Sequence, residues 1–125
     1  MSIDALAYIE KLMQSIGIPY EFMRWNAEEV PEVYFVGEYL ESVSPHRHES
    51  GHQETTFILR GFTRGTWMGL EEAKAKIESN ACKTAILDDG TGIAVFYDSA
   101  TPVPTAVADL KSIKINLNIQ EWRVK

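Results

Sequence analysis

The chain has 125 residues, of which 45% are hydrophobic and 24% charged, and its formal net charge is -6. This composition is typical of one globular domain, and the negative charge disfavours binding to the phosphate backbone of nucleic acids. No apolar run reaches the roughly 18 residues of a membrane span, the N-terminal residues do not have the pattern of a signal peptide, and the single cysteine, Cys82, excludes an internal disulfide. We therefore expect a cytosolically synthesised protein that binds neither nucleic acid nor membrane.

The N-terminal segment has the apolar spacing of an amphipathic helix. Apolar residues recur every three or four positions from residue 2 to residue 16, Ser2 suits the N-cap, and Gly17 and Pro19 mark the end. Residues 19–25 mix aromatic and charged side chains in a way that fits a short strand, and residues 26–31 interrupt them. We interpret the segment as a connection.

Two segments in the first half of the chain have the composition of strands. Residues 33–39 are rich in aromatic and β-branched side chains. The alternation over residues 53–63 gives two faces, one with Phe57, Leu59 and Gly61 and the other with Thr56, Ile58, Arg60 and Phe62. The polar stretch between these two segments is about a dozen residues long, which is long for a hairpin turn. We expect it to project from the body as a loop.

The second half of the chain repeats the order of helix and then strands. Apolar spacing predicts a helix over residues 69–79, turn chemistry follows at residues 88–92, and residues 93–97 form a predicted strand. Residues 99–106 contain Pro102 and Pro104 and are interpreted as an irregular or edge segment. Strict alternation from residue 113 to residue 120 predicts a long half-buried strand, which Trp122 and Val124 extend.

This element order predicts a single α+β domain over residues 1–125, with one mainly antiparallel sheet of four to five strands and two helices packed on one face. The opposite face is then polar and is either solvated or a contact surface, and the sequence does not decide between the two. Its expected residues are Thr56, Arg60, Lys114, Asn116 and Asn118. The last strand is also a candidate for a subunit boundary, because sheet edges pair readily with other chains.

The histidines form the most prominent cluster of chemically active residues. His46, His48 and His52 lie close to Glu49 and Glu54, and imidazole and carboxylate groups are ligands for zinc. However, the spacing is not the helical His-Glu-x-x-His pattern, and no distant ligand group completes a shell. We interpret the cluster as a solvated loop. A contact with a neighbouring subunit that responds to histidine protonation is the alternative.

Other chemical sites are weaker still. The acidic and glycine-rich residues 88–92 precede a predicted strand, so a turn fits them better than a calcium or phosphate loop. Cys82 has no evident base beside it, and the carboxylates are scattered. We therefore predict no catalytic residues, no metal ligands and no cofactor, and we expect that the protein is not an enzyme.

Five segments together resemble the tail terminator, or tail-to-head joining, proteins of long-tailed phages and prophages. These segments are residues 33–39, 53–61, 70–77, 92–97 and 110–124. The resemblance implies a structural protein that forms a ring, commonly of six copies, which caps the tail tube and presents a surface to the head-tail connector. It also implies assembly in the host bacterial cytoplasm and a final location in the tail of the virion.

A head-to-tail ring needs two different complementary patches on each subunit. We expect them in the loop over residues 41–54 and in the Pro-rich segment over residues 99–105. The candidate interface residues are His46, Arg47, His48, His52, Glu54, Arg60, Pro102 and Pro104. Two alternatives stay open: another head-tail completion or minor capsid protein, and a metal-binding module or enzyme that uses the three histidines.

Overall fold

A computed structural model of the chain describes residues 1–41 and 53–123. These residues form two helices and six strands. In chain order they are α1 (Ile3–Ser15), β1 (Tyr20–Phe22), β2 (Val33–Glu41), β3 (Gln53–Thr63), α2 (Trp67–Ala81), β4 (Thr84–Ile86), β5 (Thr91–Val103) and β6 (Lys111–Arg123). Neither helix in this part of the chain is long and apolar enough to cross a membrane.

Helix α1 begins and ends at the residues that the sequence indicated. The Ser2 side chain accepts a hydrogen bond from the Ala5 backbone N–H at 3.1 Å, which satisfies one of the unpaired donors at a helix start. Gly17 has a φ of 73°, the left-handed conformation that commonly follows a helix. The buried residues are Ala5, Ile9, Leu12 and Met13. The predicted first helix is confirmed.

Helix α2 confirms the second predicted helix and extends it by two residues at each end. Its buried stripe consists of Leu70, Ala73, Ile77 and Ala81. The Trp67 indole N–H donates to the Glu71 side chain at 3.1 Å, and Lys74 pairs with Glu71 at 2.8 Å. These contacts stabilise the first turns of the helix, and the buried stripe packs on the sheet.

The sheet has the strand order β1-β2-β3-β6-β5-β4, in which β1 pairs parallel to β2 and all other neighbours are antiparallel. The α+β class is therefore correct, but the prediction of a mainly antiparallel sheet of four to five strands is too small and misses the parallel pair. The cause is length, because β1 and β4 contain three residues each and so carry no measurable alternation. Segment 19–31, interpreted as a connection, contains β1.

Strand β6 lies in the centre of the sheet between β3 and β5. The expectation that this strand is a candidate subunit boundary is therefore wrong. Alternation of apolar and polar residues reports one covered face and one uncovered face, and it carries no information about whether the strand has neighbours on both sides. Within the described residues the edge strands are β1 and β4.

Strand β5 is longer than predicted, because it continues through the Pro-rich segment to Val103 after a register shift between Tyr97 and Ser99. Strand β4 pairs only with residues 92–94 of β5, so residues 99–103 form an outer edge of the sheet. The Val95 N–H points outward, to the Lys83 carbonyl. The β6 partners of Val95 and Pro102 are six positions apart, so both residues occupy positions whose backbone N–H points away from β6. The missing N–H of Pro102 therefore faces the outer edge of the sheet, and the ladder with β6 loses no hydrogen bond.

Both helices and one face of the sheet share a single core. From the strands it contains Phe35, Phe57, Leu59, Ile93, Val95, Ile113, Ile115, Leu117 and Ile119. The predicted inward position of Phe57 and Leu59 is confirmed. At one end of this core the Ser2 hydroxyl donates to the buried Glu121 carboxylate at 2.6 Å, which ties the start of α1 to the central strand β6.

Two glycines in the sheet give a matched test of this packing. An alanine Cβ at Gly61 would lie 2.5 Å from the fully buried Phe35 ring, whereas a Cβ at Gly92 would meet the half-exposed Trp122 indole, which can swing towards solvent. We expect Gly61→Ala to lower the free energy of unfolding by about 1–3 kcal/mol and Gly92→Ala to lower it by less. Urea unfolding of both variants measures the difference, and equal losses would contradict the packing described for Phe35.

Candidate functional site

Along each strand, every second side chain points into the core and the others point to the face of the sheet opposite the helices. We call it the open face. It consists of Tyr34, Val36, Glu38 and Leu40 on β2; Glu54, Thr56, Ile58, Arg60 and Phe62 on β3; Phe96, Ser99 and Thr101 on β5; and Lys114, Asn116, Asn118, Gln120 and Trp122 on β6. All of these residues are half-buried or exposed.

The five polar residues predicted for this face do lie on it together. The Asn116 amide donates to the Ser99 hydroxyl at 3.0 Å, and the Gln120 amide donates to Asn118 at 3.1 Å. Strands β2 and β5 add exposed apolar residues to the same face. Leu40 is 62% exposed and Phe96 is 48% exposed, and exposed apolar groups inside a polar surface are typical of interaction sites.

Three aromatic rings form a row across one end of the open face. The rings of Trp25 and Tyr34 have centroids 5.2 Å apart at an angle of 52°, and those of Tyr34 and Phe62 are 5.4 Å apart at 27°. These separations are those of favourable aromatic pairs. The Trp25 indole N–H donates to the Glu29 carbonyl at 3.0 Å, which fixes the ring at the end of the row.

A strained turn brings Trp25 into this row. Met23 has a φ of 71°, and the Arg24 N–H donates to the Phe22 carbonyl at 2.9 Å across it, which is the pattern of the rare γ-turn with a positive φ. The Met23 N–H donates to the Gly37 carbonyl at 2.8 Å and so anchors the turn on β2. A backbone in this region costs about 1–3 kcal/mol, and such strain is concentrated at binding and active sites.

The carboxylate of Glu21 holds the chain after this turn. It accepts hydrogen bonds from the backbone N–H groups of Asn26, at 2.8 Å, and Ala27, at 3.2 Å. Arg24 donates from its Nε to the Asn26 side chain at 2.9 Å. The segment that carries Trp25 is therefore fixed by both backbone and side-chain contacts.

The turn and the aromatic row enclose a groove of about 360 Å³, which we call the β1–β3 groove. Its lining includes Met23, Arg24, Trp25, Tyr34, Arg60 and Phe62. Arg60 forms an ion pair with Glu38, and both side chains remain more than one-third exposed. The groove offers aromatic rings and guanidinium groups, which are residue types enriched in protein–protein interfaces.

A second groove, of about 370 Å³, lies between α1 and β1. It is lined in part by Ile3, Leu6, Glu10, Tyr20 and Phe22. Burial, and secondarily the negative charge of Glu10, raises the pKa of the Tyr20 phenol well above its usual value. The raised pKa favours the protonated phenol, and the Tyr20 ring packs against the core.

The candidate interface residues named from the sequence fall into three groups. Glu54 and Arg60 both lie on the open face of β3, but six residues separate them, which corresponds to about 20 Å along a strand. Pro102 and Pro104 are exposed at the end of β5, across β6 from Arg60. The predictions for His46, Arg47, His48 and His52 lie outside the described residues.

The other chemical candidates have simple structural roles. The predicted turn at residues 88–92 is confirmed, because Gly90 has a φ of 87° and Asp89 accepts from the Thr91 N–H at 2.9 Å. The Cys82 sulfur is exposed and accepts from the Tyr97 N–H at 3.3 Å. Within residues 1–41 and 53–123 there is no group of three or more His, Cys, Asp and Glu side chains placed to hold a metal ion.

No family model matches the chain, and no curated protein sequence matches it significantly. A functional proposal therefore rests on the geometry of the two grooves and of the open face.

Alternation in β3 indicated the position of Arg60 on the open face. No sequence signal indicated that Trp25 would fold back onto Tyr34, because that contact depends on a single residue with a positive φ.

The pKa of Tyr20 gives a test of the burial at the α1–β1 groove. Above pH about 10 the unfolded chain ionises this phenol while the folded chain keeps it protonated, so stability falls as the pH rises, by about 1.4 kcal/mol per pH unit. We expect Tyr20→Phe to remove this part of the loss, measured by urea unfolding at several pH values between about 9 and 12. The matched control is Tyr39→Phe, at a ring that is 39% exposed; identical pH profiles for wild type and Tyr20→Phe would refute the burial.

Proposed function

We propose that this protein is a structural component of phage assembly, a tail terminator that forms a ring on the end of the tail tube and joins it to the head. The observation that carries the proposal is the one-sided architecture of the sheet. Two helices cover one face, and the other face presents an aromatic groove and exposed apolar residues such as Phe96. Such a surface is suited to binding another protein.

The chemistry of this surface supports an interface role. Aromatic residues, Met and Arg are the residue types enriched where proteins meet, and Met23, Trp25 and Arg60 occur together in the β1–β3 groove. The described residues contain no candidate metal cluster. The residue types that line the groove are those of a binding surface.

The layout of the subunit also suits a head-to-tail ring. The β1–β3 groove lies on one lateral side of the sheet, and the exposed residues Pro102 and Pro104 lie on the other. A ring of identical subunits needs two different patches placed in this way. The observed order of α1, the β2–β3 pair, α2 and the β5–β6 pair is the order on which the resemblance to tail terminators rests.

In this proposal the partners are further copies of the chain, the tail tube protein and the head-tail connector, and the protein is located in the virion tail after assembly in the bacterial cytoplasm. Neither nucleic acid nor membrane is among the partners. The net charge of -6 supports this part of the proposal, because an acidic body is repelled by nucleic-acid phosphates.

Solution mass tests the proposal directly. We expect light scattering over a range of protein concentrations and ionic strengths to find a discrete oligomer, about six times the 14.1 kDa subunit mass, and negative-stain images of that species to show rings. We also expect the protein to co-sediment with assembled tail tubes. A protein that stays monomeric in all conditions and fails to co-sediment with tail tubes would not be a tail terminator.

Two further measurements separate the alternatives. Binding to the head-tail connector without binding to tail tubes would favour another head-tail completion protein. The metal-binding alternative requires a stoichiometric metal ion on His46, His48 and His52, and we expect elemental analysis of the purified protein to find less than about one-tenth of an equivalent of zinc or any other transition metal. A full equivalent that is lost in a His48→Ala variant would favour the metal-binding module.

A further inference from the structure

The β1–β3 groove and the Pro-rich end of β5 have complementary chemistry. We propose that the groove of one subunit binds residues 101–105 (Thr-Pro-Val-Pro-Thr) of a second copy of this chain. The inference rests on the proposed ring assembly and adds to it the two patches that meet. The contact is heterologous, because the groove and the segment are different parts of the surface.

The groove has the features that recognise proline. The rings of Trp25, Tyr34 and Phe62 lie next to one another in its lining, and proline-rich segments bind to aromatic-lined grooves by packing their rings between aromatic side chains. The exposed side chain of Met23, at the rim of the groove, adds adaptable apolar surface. The fixed turn at Met23 prepares the groove before binding, which lowers the entropic cost of association.

The segment has the features of a rigid ligand. Pro102 and Pro104 are both exposed, and each proline ring restricts its backbone to the extended region. The Thr105 hydroxyl lies 2.8 Å from the carbonyl oxygens of Val107 and Leu110, so the chain is held directly after the second proline. Because Pro102 has no N–H to offer at the outer edge, recognition through its side chain fits better than the addition of a strand.

The pairing does not depend on charge. Arg24 and Arg60 line the groove together with one carboxylate, Glu38. Residues 101–105 carry no charged side chain, and the charged residues beside them are Lys114, opposite Thr101, and Lys111. The contact therefore rests on the packing of the proline rings against aromatic side chains.

The heights of the two patches along the strands favour ring closure. Val36, Arg60, Lys114 and Thr101 form one continuous row across β2, β3, β6 and β5, so the groove and the segment lie at the same level. Three inter-strand spacings, or about 14 Å, separate them. A subunit cannot fill its own groove, because Thr101 is held in register with Lys114. A contact between neighbours at one level gives little rise along the strands, and a head-to-tail ring of this kind closes when the rotation between neighbours divides a full turn.

Disulfide trapping tests this contact in the full-length chain. The native cysteine is removed by Cys82→Ser, and Met23→Cys and Thr101→Cys are introduced at exposed positions of the groove rim and the segment. Within one subunit the two positions are too far apart for a disulfide, which needs Cα atoms within about 7 Å. We expect mild oxidation to give a ladder of covalent oligomers on a non-reducing gel, ending at the ring size that light scattering finds for the wild type.

The controls separate the inference from the proposed function. In the matched variant Thr101→Cys is replaced by Ile86→Cys, at an exposed position on strand β4, and we expect no ladder from it. A chain that forms rings but gives no ladder, or an equal ladder in the control, would overturn the inference and leave ring assembly intact. A chain that is monomeric at every concentration would overturn the inference, and co-sedimentation with tail tubes would then decide the proposed function separately.

A variant without cysteines gives an independent measurement. Pro104→Ser changes an exposed residue that follows the end of β5, so it leaves the core intact. We expect it to raise the concentration at which the oligomer dissociates by about tenfold or more, measured by light scattering on dilution. Val107→Ser, at an exposed apolar residue outside the segment, is the control, and an equal effect of both substitutions would count against specific recognition of the proline.

Discussion

The pairing of β3 with β6 is the constraint on which the rest of the structure depends. Every residue from Gln53 to Thr63 stands in register with one from Lys111 to Glu121, so this ladder joins the middle of the chain to its C-terminal part. It sets which residues face the helices and which face outward, because a shift of one residue would exchange the two faces. The flanking strands and both helices pack against this central pair, whose two faces are set by its register.

The open face remains at the surface because both helices pack on the other side of the sheet. Helices α1 and α2 cover one face of six strands, and the other face keeps its side chains at the surface. A solvated sheet face is ordinarily polar, and the middle of β6 follows this rule with Lys114, Asn116 and Asn118. Near β1 and β2 the rule is broken by the aromatic row, and the backbone strain at Met23 occurs at the same place. Two unusual features in one location distinguish this end of the face from the rest.

Strand β5 contributes to the core with one part and to the proposed subunit contact with another. In β5 the first residues, such as Ile93 and Val95, are buried in the core, whereas Pro102, near the end of the strand, and Pro104, just after it, are exposed. The register shift at Asp98 separates the two parts. A strand divided in this way can present a rigid segment to another subunit without loss of core contacts, because its exposed half is held by pairing with β6 alone among the described strands.

The sequence by itself determined the local elements whose period is long enough to be read. These are α1 with its Ser2 cap, α2, the two faces of β3 and the alternation of β6, and they placed Arg60 on the open face. Only the tertiary structure decided the three-residue strands, the central position of β6 and the approach of Trp25 to Tyr34. The physical reason is that periodicity records which side of an element is buried, whereas strand order and the aromatic row depend on contacts between residues distant in sequence and on one left-handed residue, Met23.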